Sequence, residues 1–361
     1  MKILFISRSS LYKDKGGDTI QILNTASFLK KINIDVDIRL CNEVIDYTPF
    51  DVLHFFNIIR PADILKHIKY SGKPYVISTI YVDYSEFEKK IRRGITGLIF
   101  KFFPGDFIEY VKVIARALLN KEKIISPSYL LKGQKRSIKK IIKGASILLP
   151  NSQSEYERIV AHYKTPKRFI VIPNGIDPEF FQKVNPRTIS RDDTLIICAG
   201  RVEGRKNQLN LIKALNGTKY KLFIIGSPAV NQLNYYETCK KTAATNIRFI
   251  SNIAQEKLFE YYQQSKVHVL PSWFETTGLS SLEAAAMGCN IVITDKGDTK
   301  EYFENYAFYC DPASPESIYE AVRKASVEKY NEALRNKILT KYTWQQAANK
   351  TLEAYQEIIR K

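Results

Sequence analysis

The sequence contains no apolar run approaching the roughly 20 residues that span a bilayer, so a transmembrane anchor is not expected. It has no C-x-x-C pair either. Its five cysteines, Cys41, Cys198, Cys239, Cys289 and Cys310, are scattered and odd in number, which argues against a disulfide framework and a zinc site and reads as small core residues. Neither G-x-G-x-x-G nor a Walker loop is present, so neither of the common phosphate-loop signatures applies. There is no internal repeat and no low-complexity tract. The opening MKILFIS is too short for a signal peptide and has no small-residue cleavage site behind it; it reads as a first buried strand, with a cytoplasmic location as the expectation.

What is present has the proportions of a globular protein, 45% hydrophobic and 25% charged over 361 residues, a length that suggests two domains of about 150 to 200 residues. The net charge is +18. It is concentrated: residues 89–143 hold fifteen Lys or Arg against Asp106, Glu109 and Glu122, a net of +12.

Short β-rich runs alternate with longer amphipathic ones. KILFIS, DVDIRL, VLHFF, YVISTI and SILLPN come first; LIICAG, YKLFIIG, IRFIS, VHVLP and NIVITD follow the polar stretch from Gln182 to Asp193. This βαβ rhythm predicts two mainly parallel, doubly wound domains, with residues 182–193 as the linker between them. The last segment has helical periodicity and no strand after it, so it is free to pack back on the first domain.

In open α/β sheets ligands bind beyond the carboxyl ends of the strands. Three strand-following stretches carry chemistry. Gly16-Gly17 precede a helix after the first strand, where backbone can approach an anion, although a plain turn is an equal reading. Arg201 and Lys206 follow LIICAG and can neutralise a diphosphate; taken alone they read as solvated charges. After VHVLP, Glu275 lies in a turn and Glu283 in a helix that begins near Leu279, so the Gly278 and Leu279 amides lie between two carboxylates. Carboxylates beside a phosphate repel it unless they bind hydroxyls of the same ligand. A nucleotide sugar has hydroxyls on both sides of its diphosphate.

Together these stretches resemble the retaining glycosyltransferases of family 4. The family's E-x7-E element is similar to ETTGLSSLE, its G-R…K element to GRVEGRK, its N-G-[IV]-D element to Asn174-Gly175-Ile176-Asp177, and its N-terminal Gly-Gly loop to KGGD. The resemblance implies the GT-B fold: two Rossmann-like domains facing a central cleft, an acceptor-binding domain over 1–181, a nucleotide-sugar domain over 190–342, and a C-terminal helix over 343–361 returning to the first. It implies Glu275, Arg201 and Lys206 as catalytic residues. Donor binding falls to Gly17, Asn174, Gly200, Ser227, Ile253, Gly278, Leu279 and Glu283, with Glu283 on the ribose. The implied reaction moves a sugar from a UDP- or GDP-linked donor to a glycan or lipid-linked glycan in bacterial surface polysaccharide synthesis, with no metal and no other cofactor.

One departure stands out. Many relatives carry a histidine after the strand that matches YVISTI; here Tyr81 and Asp83 occupy that region and become the acceptor-side candidates, while His54 reads as a core residue. The competing readings are a nucleotide-sugar epimerase of the same fold, a catalytically silent sugar-nucleotide-binding subunit, and a nucleic-acid binder, for which no recognisable module is present. The basic, phenylalanine-bearing segment 89–143 (Phe100, Phe102, Phe103 and Phe107) predicts peripheral docking on an anionic membrane, at the inner face of the cell membrane. A solvated helix pair is the plainer alternative.

Overall fold

The computed structural model describes residues 1–91, 105–119, 126–251 and 253–360. They form two compact units, the first of Met1–Pro173 with Trp344–Lys361 and the second of Asn174–Thr343.

The first unit holds five parallel strands, β1 (Lys2–Ser7), β2 (Asp35–Leu40), β3 (Val52–Phe56), β4 (Tyr75–Ser78) and β5 (Ile147–Leu149), in the order β2-β1-β3-β4-β5. Every residue of β3, β4 and β5 is buried, as expected for a parallel sheet covered on both faces. The order reverses once, between β1 and β3. The helix Trp344–Ile359 packs on the helix Gly17–Lys31. Its Tyr355 hydroxyl bonds His54 Nδ1 at 2.6 Å while His54 Nε2 meets Ser78 Oγ at 2.8 Å. Burial lowers the His54 imidazole to about 3, so this histidine is a neutral core brace linking β3, β4 and the last helix.

The second unit holds six parallel strands, β6 (Asp192–Ala199), β7 (Lys221–Ile225), β8 (Ile247–Ile250), β9 (Ser265–Leu270), β10 (Asn290–Thr294) and β11 (Phe308–Cys310), ordered β11-β10-β9-β6-β7-β8. Its single reversal lies between β6 and β9. Strand β11 has no counterpart among the expected strands: of its three residues only Cys310 is buried, so it lacks the aliphatic run that marks the equally short β5.

The position of the chain crossing differs from expectation. The chain passes between units at Pro173–Asn174, and the polar stretch 182–193 belongs wholly to the second unit. Arg191 accounts for this, because its Nη1 donates to the carbonyls of Tyr262 at 2.8 Å and Ser265 at 2.7 Å and its Nη2 to that of Met287. A linker-like composition thus conceals a guanidinium that satisfies the chain around two helix ends. At the true crossing, Ile176 N donates to Tyr342 O at 2.9 Å, and a Cβ on Gly175 would meet the Thr343 backbone at 2.5 Å. The outgoing and returning segments run too close for any side chain at position 175.

All five cysteines are buried and free. Among the described residues no helix is long and apolar enough to cross a membrane.

Candidate active site

The reversal between β6 and β9 opens the edge of the second sheet at which an α/β fold binds its ligand. The loops following these two strands carry Arg201–Lys206 and Glu275. Gly200, at φ +146°, follows β6, and a Cβ on neighbouring Gly226 would come within 2.1 Å of Gly200 O. Backbone therefore packs on backbone at this corner, and Val202 N donates to Ser227 O at 2.9 Å.

The chain then makes a short 3-10 turn, Gly204–Lys206, and reaches Asn207 in the left-handed region at φ +60°. Asn207 is buried, with Nδ2 donating to Pro271 O at 3.0 Å and Pro312 O at 2.7 Å. Trp273 N donates to Arg205 O at 2.9 Å. These bonds fasten the β6 loop to the β9 loop and bring Lys206 Nζ within 2.5 Å of Glu275 Oε1. Glu203, also buried, faces Arg205 at 3.0 Å and Arg201 at 3.6 Å. Burial raises its carboxyl pKa, but Arg205, Arg201 and Lys206 outweigh that and hold it below the usual carboxylate value.

Glu275 is itself pinned by backbone: its N donates to Lys296 O at 3.1 Å and its O accepts from Asp298 N at 2.9 Å. Gly297, between those partners, has φ +96°, and a Cβ there would lie 2.1 Å from Glu275 O. Gly278, at φ +69°, then opens the helix Leu279–Ala286. Glu283 lies in its second turn, with Gln255 Nε2 at 3.5 Å from Oε1. Desolvation pushes the Glu283 carboxyl up to about 7.

Arg201, Lys206, Glu203 and Glu275 are thus brought together, with Gly200 and Gly278 on the same strand-end loops, Leu279 at the start of the following helix and Ser227 on the loop after β7, bonded to Val202. Ile253 packs partly against the core. Asn174 is a brace: its Nδ2 donates to Thr277 Oγ1 at 3.2 Å, its N donates to the Tyr302 hydroxyl at 3.3 Å, and Thr277 and Tyr302 bond each other at 3.2 Å. Glu203, Asn207, Gln255, Thr277, Gly297 and Tyr302 were not expected. An acid between two cations in RVEGRK was the one legible signal among them.

In the first unit Gly17 is the first residue of its helix, and nothing lies within 4 Å of where its Cβ would be. Tyr81 does not fit the acceptor-side expectation as a side chain. Its ring is buried against Tyr163, 5.9 Å between centroids, and burial raises its hydroxyl to about 12. The loop sets the ring against the end of the helix Gln153–Tyr163. Asp83 is exposed, and its Oδ1 accepts from Ser85 N at 2.9 Å, capping the next helix.

Of the basic segment, residues 92–104 and 120–125 lie outside the described residues, and Phe100, Phe102 and Phe103 with them. The helix Pro127–Gly144 exposes Lys132, Lys135, Arg136, Lys140 and Lys143 and is kinked at Gly133. Leu131 is 88% exposed beside them, and Phe107 is exposed on the helix Gly105–Leu119. Lys132 lowers the Lys140 ammonium below its usual value, aided by partial burial and by Lys69, which shows how closely these cations crowd. Among the described residues no group of His, Cys, Asp or Glu is placed to hold a metal.

Residues 180–341 match the family model described as "Glycosyl transferases group 1". The chain is 23% identical over 361 aligned positions to the N-acetylgalactosamine-N,N'-diacetylbacillosaminyl-diphospho-undecaprenol 4-alpha-N-acetylgalactosaminyltransferase of Campylobacter jejuni, covering 92% of this chain and 93% of that one. Among solved structures, the sucrose-phosphate synthase of Thermosynechococcus elongatus superposes with a TM-score of 0.74 at 14% identity over 100% of both chains. Anabaena HepE in complex with UDP-glucose gives 0.60 at 15% identity over 99% of this chain and 95% of that one. The fold is the two-domain α/β architecture of the GT-B glycosyltransferases. The matched residues 180–341 lie wholly within the second unit, and the protein is a glycosyltransferase.

Proposed function

We propose that the protein is a retaining hexosyltransferase that takes a sugar from a nucleotide-diphosphate donor and passes it to a glycan or lipid-linked glycan during bacterial surface polysaccharide synthesis. The observation that carries this reading is the meeting of Lys206 and Glu275 at the β6/β9 reversal. The bond to be broken joins the sugar's C1 to a diphosphate oxygen. Positive charge grows on the sugar ring and negative charge on the leaving diphosphate. Glu275 faces the first and Lys206, with Arg201, the second; fixed charges aimed at developing charge are the largest single source of such catalysis. The Gly278 and Leu279 amides complete the phosphate cradle within the second unit, and Glu283 takes the ribose hydroxyls. The positive groups supply the potential a divalent metal would otherwise provide.

The first unit is read as the acceptor side. A lipid-linked acceptor is supported by the Campylobacter relative, whose name specifies a diphospho-undecaprenol acceptor. A UDP-linked donor is supported by the UDP-glucose bound in the HepE structure. Docking of the cationic helix Pro127–Gly144 on the cytoplasmic face of an anionic membrane would bring such an acceptor to the enzyme.

The test is to incubate the protein with UDP-glucose, UDP-galactose, UDP-N-acetylglucosamine, UDP-N-acetylgalactosamine and GDP-mannose, with and without an undecaprenyl-diphosphate-linked N-acetylhexosamine. Acceptor-dependent nucleotide release with retained anomeric configuration by NMR is expected. An inverted product ends the retaining assignment, and epimerised donor without acceptor ends transfer altogether.

A further inference from the structure

Glu155 is fully buried at the third position of the helix Gln153–Tyr163, whose N-cap Ser152 accepts from Glu155 N at 3.0 Å. In the usual capping box the glutamate reaches back to its own N-cap amide. Here Oε2 accepts instead from Asn151 N at 2.7 Å, while Oε1 accepts from Tyr81 N at 2.7 Å and from the Thr79 hydroxyl. One carboxylate thereby joins the chain leaving β4 to the chain leaving β5. Asn151 extends the network, exchanging side-chain bonds at 2.9 and 3.3 Å with Gln21 of the helix that Gly17 begins.

Between the two β4-side donors lies Ile80, at φ +45°. A β-branched residue in the left-handed region is a genuine outlier, at a cost of order 1–3 kcal/mol. The sheet does not require it, because β4 ends at Ser78. A glycine would make the same turn without strain. The turn decides the direction in which Val82–Tyr84 leave the strand, including exposed Asp83.

We propose that Glu155 is a positioning residue for the acceptor-side loop: its buried carboxylate holds Ile80 in the left-handed turn and so fixes the path of residues 79–84 at the carboxyl end of β4. This rests on reading the first unit as the acceptor side. Three charge-assisted bonds converging on one carboxylate are strong enough to offset the strain of a single residue.

The experiment uses the full chain with the donor panel and the undecaprenyl-linked acceptor above, and compares Glu155→Gln, Ile80→Gly and the double variant. Glutamine keeps the volume but turns an N–H toward one of the donors. Glu155→Gln should lower kcat for transfer by about tenfold or more, as a displaced loop does, with the donor KM within about twofold. Hydrogen exchange should quicken in peptides covering 79–84 and not in those covering 274–283. Because glycine removes the strain, the double variant should recover most of the lost kcat. Wild-type kcat and exchange in Glu155→Gln overturn the proposal, as does a double variant no better than the single one, which would make Glu155 an ordinary stabiliser. A wild-type protein that turns over no donor instead overturns the glycosyl-transfer reading on which the proposal stands.

Discussion

Both units are parallel sheets with one reversal of strand order, yet a cation in the loop after the first strand plays opposite parts in the two. In the first unit Arg8, just past β1, turns back into its own loop. It bonds Asp18 at 2.7 and 3.1 Å, Ser10 O and Oγ at 3.0 and 2.8 Å, Asp14 O at 2.6 Å and Thr19 Oγ1 at 3.3 Å. In the second unit Lys206 reaches out of its loop to Glu275 on the neighbouring strand's loop. A guanidinium saturated by residues 10–19 builds a loop. An ammonium paired across the reversal ties two strand-end loops together and sets opposite charges side by side at the sheet's edge. A single reversal of strand order thus accompanies a self-contained loop in one unit and a bridge between two loops in the other.

That contrast can be broken in four ways, taken from the largest expected effect to the smallest. Reversing Lys135, Arg136, Lys139 and Lys140 to Glu in the first unit should abolish co-sedimentation with anionic vesicles; four charges at about 1 kcal/mol each correspond to roughly a thousandfold. Donor binding in the second unit should not change. Vesicle binding that survives the reversal removes the membrane from the proposal.

Within the second unit, Lys206→Ala and Glu275→Gln should each lower transfer by about a hundredfold, roughly 2.7 kcal/mol of transition-state stabilisation. Circular dichroism should confirm that the variants are folded, because removing one partner of a half-buried pair also costs stability. Arg8→Ala should show the reverse pattern, a lower Tm with a smaller loss of turnover per folded molecule. If Arg8→Ala is the more damaging to turnover, the contrast between the two cations is wrong.

Glu283 gives a smaller, pH-dependent effect. Its carboxyl is raised to about 7 by desolvation, and ribose hydroxyls donating to it favour the ionised form. Donor affinity should therefore rise with pH up to about 7 and level off above it, changing by at most about tenfold per pH unit below. The stability sign is opposite: a carboxyl whose folded pKa is raised contributes stability that is present below the ordinary carboxylate range and lost as pH rises through 7. Calorimetric titration of UDP-glucose from pH 5.5 to 8.5 checks the first, and a flat profile in Glu283→Gln assigns it to this residue.

The smallest effect expected is none. EDTA should leave transfer unchanged, and activity lost to chelation and restored by magnesium or manganese would show that the cations of the second unit are insufficient alone.

Ten of the eleven strands among the described residues were legible because β-branched runs alternating with amphipathic ones are local signals, and the tenfold repetition of that pattern leaves few alternatives. The loops bearing Arg201, Lys206, Glu275 and Glu283 were legible for the same reason: a motif following a strand lies at the sheet's edge whatever the strand order. Gly297 and Thr277 were not, since their roles depend on backbone approach and on Tyr302, 25 residues from Thr277. The burial of Tyr81 against Tyr163 was not legible either, because sequence locates a residue after a strand without locating its ring.

By itself, then, the sequence determined two α/β units and which loops carry charge, because hydrophobic period and turn chemistry act over a few residues. Only the tertiary structure decided the strand orders, the crossing at Pro173–Asn174, the meeting of Lys206 with Glu275 across 69 positions, and the raised Glu283 carboxyl. Each of these depends on which distant segments pair and which groups lose water, and neither pairing nor desolvation is a property of a short stretch of chain.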